Sequence, residues 1–196
     1  MFKDVEGKIK NKNSILFSRD SSSLEELRLM IMKQSHLTLV LWVFDNIKSM
    51  VVELSKKYTD EDVLIMAYEK CIAWAHGEVK MPVAKKSILD CHLFAKSMED
   101  PYDIALCHAV GQGCSTIHVE THALGMVFYE LTAIVIKNGY KNYEVEITDK
   151  INQYISKLKF WIENEKYYRE NQEWADFLVK PGKINKEKLL YEKESI

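Results

Sequence analysis

Three of the six histidines in this 196-residue chain, His108, His118 and His122, fall within residues 101–129. Imidazole is the side chain best suited to acid-base work and metal binding near neutral pH. His118 and His122 are four apart, so on a helix their rings share a face about 6 Å apart along the axis, a spacing that can grip a metal. The surroundings do not complete such a site. Glu120 lies midway between the two histidines, whereas a His-Glu-x-x-His site needs the acid directly after the first. His108 is about 15 Å from His118 along a straight helix, too far to join the same coordination shell. No metal and no cofactor are expected; were a metal held, His118 and His122 would be its ligands. No catalytic residue is assigned either. Cys114 and Ser115 lack an acid-histidine partner, and Cys107 points about 100° away from its neighbour His108 on a helix. Gly111-Gln112-Gly113 has no preceding strand and no Lys-Ser/Thr ending, so it is not a phosphate loop, and close helix packing is its expected role.

These residues need an element to carry them. Spacings of three and four place His108, Gly111, Ser115, His118, His122, Gly125 and Tyr129 on one stripe of small and polar side chains. Beside it runs a second, mostly apolar stripe that includes Ile117, Leu124 and Phe128. Two packing seams on one segment predict a central helix. Residues 101–137 as one helix would span about 50 Å, more than a compact domain accommodates, so a break or kink is expected between His118 and Thr121.

Only three prolines and seven glycines, with little alternating polarity, predict an all-α fold. We expect one compact domain of about seven or eight helices, antiparallel hairpins packed around the Gly/His segment. Residues 1–20 read as a polar N-terminal arm, 21–180 as the helical domain and 181–196 as a charged, loosely held tail. The first helix covers residues 24–33 behind a capping box formed by Ser23 and Glu26. A second covers 36–57 and carries Trp42 as a core anchor. A third runs over 60–76 with Trp74 near its end and Gly77 as its left-handed stop. The next occupies 83–98, and Asp100 with Pro101 starts the central segment. If the helices flanking Pro101 are antiparallel, His92 faces His108, His118 lies beside Pro82, and His122 lies near Glu78. Histidines there would be neutral and bonded to loop backbone. Further helices are expected over 147–162 and 167–178.

A net charge of -2 gives no bulk drive toward nucleic acid or anionic membrane, and no apolar run reaches the roughly 20 residues of a bilayer span. The N-terminus lacks a secretory pattern, so the expected location is cytoplasmic. There Cys71, Cys91, Cys107 and Cys114 would be buried free thiols. A monomer or homodimer is expected.

Residues 111–125, Gly-Gln-Gly-Cys-Ser-Thr-Ile-His-Val-Glu-Thr-His-Ala-Leu-Gly, resemble the Gly-Gln-Ala-x-Ala-Thr-x-His-Val-Pro-Thr-His-Ala-x-Gly signature of a family of bacterial immunity proteins grouped with polymorphic toxins. Trp42, the turn over residues 58–62 and Ala-Trp-Ala-His-Gly-Glu at 73–78 are similar to other family elements, so the resemblance covers roughly residues 36–135. Gly111, Gln112, Thr116, His118, Val119, Thr121, His122 and Gly125 match, and with His108 they are the candidate binding residues. Glu120 departs from the signature's proline, which would enforce a helix restart that glutamate only permits. The resemblance implies a non-enzymatic protein that neutralises a cognate toxin by binding it, and the acidic run over 163–173 would suit a basic partner. Two alternatives stand beside it: a metal-binding protein or metal-dependent hydrolase using His118 and His122, and a helical scaffold that binds a small ligand.

Overall fold

The computed structural model describes residues 2–194, and all the regular structure in them is helical. Ten α-helices and one 3-10 turn follow in order: α1 (Lys3–Lys10), the turn Ser22–Leu24, α2 (Glu25–Ile31), α3 (His36–Lys57), α4 (Val63–Ala75), α5 (Met81–Ala95), α6 (Pro101–Ser115), α7 (His122–Lys137), α8 (Glu144–Asn171), α9 (Asp176–Val179) and α10 (Lys186–Glu194). The all-α architecture holds, with somewhat more helices than the seven or eight expected.

Two helices organise the interior. In α3 the first half is apolar all round, and Leu37, Leu39, Val40, Trp42 and Val43 are fully buried. Such a helix must be covered on every side. Trp42 donates from Nε1 to the Tyr154 carbonyl (3.0 Å) and meets the Tyr154 ring edge-on at 5.7 Å, which ties α3 to α8. The second organiser is α6, packed against α3, α4, α5 and α7. Asp100 caps it by accepting from Tyr102 N–H (2.9 Å), with Pro101 at the first turn where no N–H is required. Gly113 lets α6 approach α3: a Cβ there would fall far inside contact with Ile47 Cγ2 and 3.1 Å from Val43 Cγ1.

The break expected between His118 and Thr121 is present as a full reversal: α6 ends at Ser115 and the chain turns back through residues 116–121, so that α7 packs along α6. Four other expectations need correction. The His108-to-Tyr129 stripe folds on itself at this reversal, and those two rings, expected at opposite ends, lie 5.1 Å apart. The Ser23 capping box does not form, because a 3-10 turn leads into α2 without a side-chain cap. The helices expected over 147–162 and 167–178 are instead continuous as far as Asn171, since no breaker interrupts the stripe from Ile147 through Leu158. Finally, both chain ends are tied down. Val5, Leu16 and Phe17 are buried, and Glu187, in the expected loose tail, is fully buried against Arg19 (2.8 Å) and Arg28 (3.1 Å).

Among the described residues no helix is long and apolar enough to cross a membrane. All four cysteines are buried free thiols, with Cys91 and Cys107 Sγ atoms 3.8 Å apart across the α5–α6 seam. The hydrogen bond with the Cys107 thiol, and then burial, push the Cys91 pKa up, which makes it a poor nucleophile.

Candidate functional site

The end of α4, the outer face of α5 and the α6–α7 reversal meet around a cavity of about 300 Å³. Its α5 wall is made by Met81, Lys85, Ile88, Leu89 and His92, whose spacings of three and four put them on one side of that helix. Trp74 supplies the α4 edge, and Ser115, His118 and His122 come from the reversal. Pro82 and Glu78, the expected neighbours of His118 and His122, do not line it, because α6 stops at Ser115 and the hairpin register with α5 does not extend past that point.

His92 does pair with His108, Nδ1 to Nδ1 at 3.1 Å. A bond between two like nitrogens requires one to donate and the other to accept, so at least one ring is neutral. Burial lowers the pKa of each, and for His108 the charges of His92 and Lys96 lower it further. Gly111 makes room for this pair: a Cβ there would lie 2.5 Å from His92 Cε1 and 2.8 Å from Nε2. His108 then faces the Tyr129 ring on its other side.

Gln112 and His122 form the second pair, His122 Nδ1 donating to Gln112 Oε1 at 2.7 Å. With Nδ1 donating, the neutral ring keeps Nε2 as an acceptor. Burial lowers the His122 pKa, with smaller contributions from His118, His92 and Arg19. Gly125 is a glycine for a related reason, since a Cβ would press into the Gln112 amide, 3.0 Å from its Cδ. His118 stands apart: it is exposed, with its ring 6.2 Å from that of Trp74. Neither His118 nor His122 has the loop-backbone partner expected.

The floor of the reversal is tightly held. Thr116 and Ile117 are fully buried, and the Thr116 hydroxyl donates back to the Gln112 carbonyl at 3.3 Å. His36 Nε2 donates to the Thr116 carbonyl (2.7 Å), while Lys183 Nζ donates to His36 Nδ1 (2.6 Å). A carbonyl can only accept and an ammonium can only donate, so His36 is the neutral Nε2-protonated tautomer. That agrees with a pKa lowered mainly by burial. Lys183 also reaches buried Glu120 Oε1 at 3.0 Å, and Glu120 Oε2 has no hydrogen-bond partner. Arg19 Nη2 donates to the Thr121 carbonyl at 3.4 Å. Of the apolar residues expected inside, Trp42, Ile117 and Leu124 are fully or nearly fully buried, Trp74 is largely so, and Phe128 is only partly covered.

The arrangement offers recognition more readily than reaction. Ser115 Oγ is occupied by the Gly111 carbonyl at 2.8 Å, and among the described residues no carboxylate lines the cavity. Among the described residues no three His, Cys, Asp or Glu side chains converge on a point that could hold a metal. Exposed apolar side chains stand in the cavity lining: Met81 is 41% exposed and Leu89 52%.

The matching family profile, described as Imm-5 like putative immunity protein, spans residues 29–157, from within α2 to within α8. The chain belongs to this immunity protein family. No curated protein and no solved structure matches it. The family span contains every residue that lines the cavity, whereas Arg19, Lys183 and Glu187, which brace the frame from outside, lie beyond it. Sequence reasoning found the histidines but missed Met81, Lys85, Leu89 and Phe177, the last packed 5.2 Å from Trp74. The periodicity of α5 could have supplied the first three; Phe177 arrives through a non-local contact with no local signal.

Proposed function

We propose that this chain neutralises a cognate toxin by binding it, without catalysing a reaction, and that the cavity between α5 and the α6–α7 reversal is the contact surface. One observation carries the reading: the signature histidines His118 and His122 share a surface depression with Trp74 and the exposed apolar side chains Met81 and Leu89. An apolar rim with aromatic and neutral polar anchors is the composition of an interface centre, where desolvation yields most of the affinity. Membership of an immunity protein family supplies a toxin as the class of partner.

The test is co-expression with the toxin encoded beside it, read as growth protection, and co-purification of the pair. Wild type protects and co-purifies. Leu89→Asp and His118→Ala, both at exposed positions, weaken binding at least tenfold without changing the melting temperature. Val145→Asp, at a 72% exposed site on α8, leaves protection intact. Absence of protection by wild type, or full protection by Leu89→Asp, overturns the reading.

A further inference from the structure

A larger cavity, about 620 Å³, lies on the other side of the His92–His108 pair, between the segment after α1 and the α6–α7 hairpin. Its body is apolar, formed by Ile9, Leu16, Ile104 and Ile136. The outer wall is fastened in place: Leu16 N–H donates to Thr132 Oγ1 at 3.0 Å, and Ser21 Oγ donates to Asp4 Oδ2 at 2.6 Å. Two residues at its mouth, Lys12 (φ 55°) and Tyr140 (φ 62°), hold left-handed backbone conformations that side-chain-bearing residues seldom adopt. Among the described residues that line it, Lys12 carries the only charged side chain and none carries a carboxylate. His108 and Tyr129 form the polar end of the floor, and among the described residues no protein group bonds the Lys12 ammonium or the Tyr129 hydroxyl.

Apolar walls of this size with a few convergent polar groups are the profile of a small-molecule site. We propose that this cavity binds a free small molecule with an apolar body and a single carboxylate, the body lying over Ile104 and Ile136 and the carboxylate meeting Lys12. The choice of head group rests on charge complementarity, since the lining holds one cation and no anion. Tyr129 strengthens it as a donor, because burial raises its pKa and keeps the hydroxyl protonated. The site is separate from the toxin-binding surface, and either assignment stands if the other fails.

The test titrates the full chain with octanoate, 1-octanol and octyltrimethylammonium, using calorimetry for affinity and amide NMR shifts for location. Octanoate is expected to bind saturably and to shift the amides of Ile104, His108, Tyr129 and Thr132. Octyltrimethylammonium should bind at least tenfold more weakly. Lys12→Glu, an exposed substitution that spares the core, should weaken octanoate at least tenfold and leave 1-octanol unchanged. Ala105→Phe, which fills the floor, should abolish binding; if that variant does not fold, the Lys12→Glu comparison decides. No saturable octanoate binding, equal affinity for the three head groups, unchanged octanoate affinity in Lys12→Glu, or shifts mapping elsewhere would each overturn the proposal.

Discussion

Lys183→Met isolates the charge cluster beneath the signature reversal. Lys183 lies 3.0 Å from Glu120 Oε1, and the Glu120 side chain is 1% exposed. At that distance the Coulomb attraction is about 5.5 kcal/mol with an effective dielectric near 20. Lys183 itself is 32% exposed, so solvent screens part of this. Removing one partner of a buried pair costs about 3–5 kcal/mol, and the screening puts Lys183→Met near the lower bound, about 3 kcal/mol at pH 7.5. In a chain of this size that is a drop of about 6–12 °C in Tm.

The pH dependence tests the mechanism more sharply than the loss itself. In the wild type the His36 pKa is lowered, so its contribution to stability is complete above the unfolded pKa of about 6.5 and is lost as pH falls below it. Without Lys183, the His36 Nδ1 is released to take a proton and face Glu120 Oε1, 3.6 Å away, in its place. The variant is then spared the part of this loss that Lys183 imposes, burial still lowering the His36 pKa, and its deficit against wild type should shrink on acidification below 6.5 by less than the ceiling of about 1.4 kcal/mol per pH unit. Urea unfolding followed by helical circular dichroism at pH 7.5 and 5.5 measures both quantities, and Glu120→Gln added to Lys183→Met should recover most of the deficit at pH 7.5. A deficit that is constant or grows on acidification, or that Glu120→Gln leaves untouched, refutes the reasoning.

Two further substitutions probe the frame. Gly113→Ala gains about 1 kcal/mol of helix propensity but pushes a methyl into Ile47 Cγ2, and overpacking of about 1–3 kcal/mol should leave a net loss; Ile47→Leu, which removes the β-branch, should reduce the added cost of the alanine in a double-mutant cycle. Tyr154→Phe removes the hydroxyl that donates to buried Glu130, a carboxylate whose pKa burial already raises, and should cost about 1–3 kcal/mol in urea unfolding while sparing the Trp42 bond, which goes to the Tyr154 backbone.

The parts of the fold legible in the sequence are those determined over one or two turns. Asp100 and Pro101 mark the start of α6 by cap chemistry, and Gly77 and Gly139 close helices at φ 77° and 59°, which needs no partner from elsewhere in the chain. The α5–α6 hairpin was legible for the same reason, because a five-residue connection fixes its register and brings His92 to His108. What could not be read depends on partners far along the chain. Glu187 lies in a charged stretch that reads as solvated tail, and only Arg19 and Arg28, more than 150 residues earlier, make its burial tolerable. The exposure of His118 was equally hidden, since it follows from where α6 stops.

That stopping point shows how the site is held. Residues 116–121 contain neither glycine nor proline, so no local torsional preference enforces the reversal. Three non-local contacts hold it instead: His36 on the Thr116 carbonyl, Lys183 on Glu120, and Arg19 on the Thr121 carbonyl. Two of the three anchoring side chains lie outside the family span, one on each side of it. Where the resembled signature has a proline, Glu120 instead places a buried charge that Lys183 meets from the C-terminal side, while Arg19 holds the neighbouring Thr121 carbonyl from the N-terminal side. In this chain the terminal extensions are part of the frame that presents His118 and His122, and loosening either should be felt at the cavity before it is felt in the α3–α6 core.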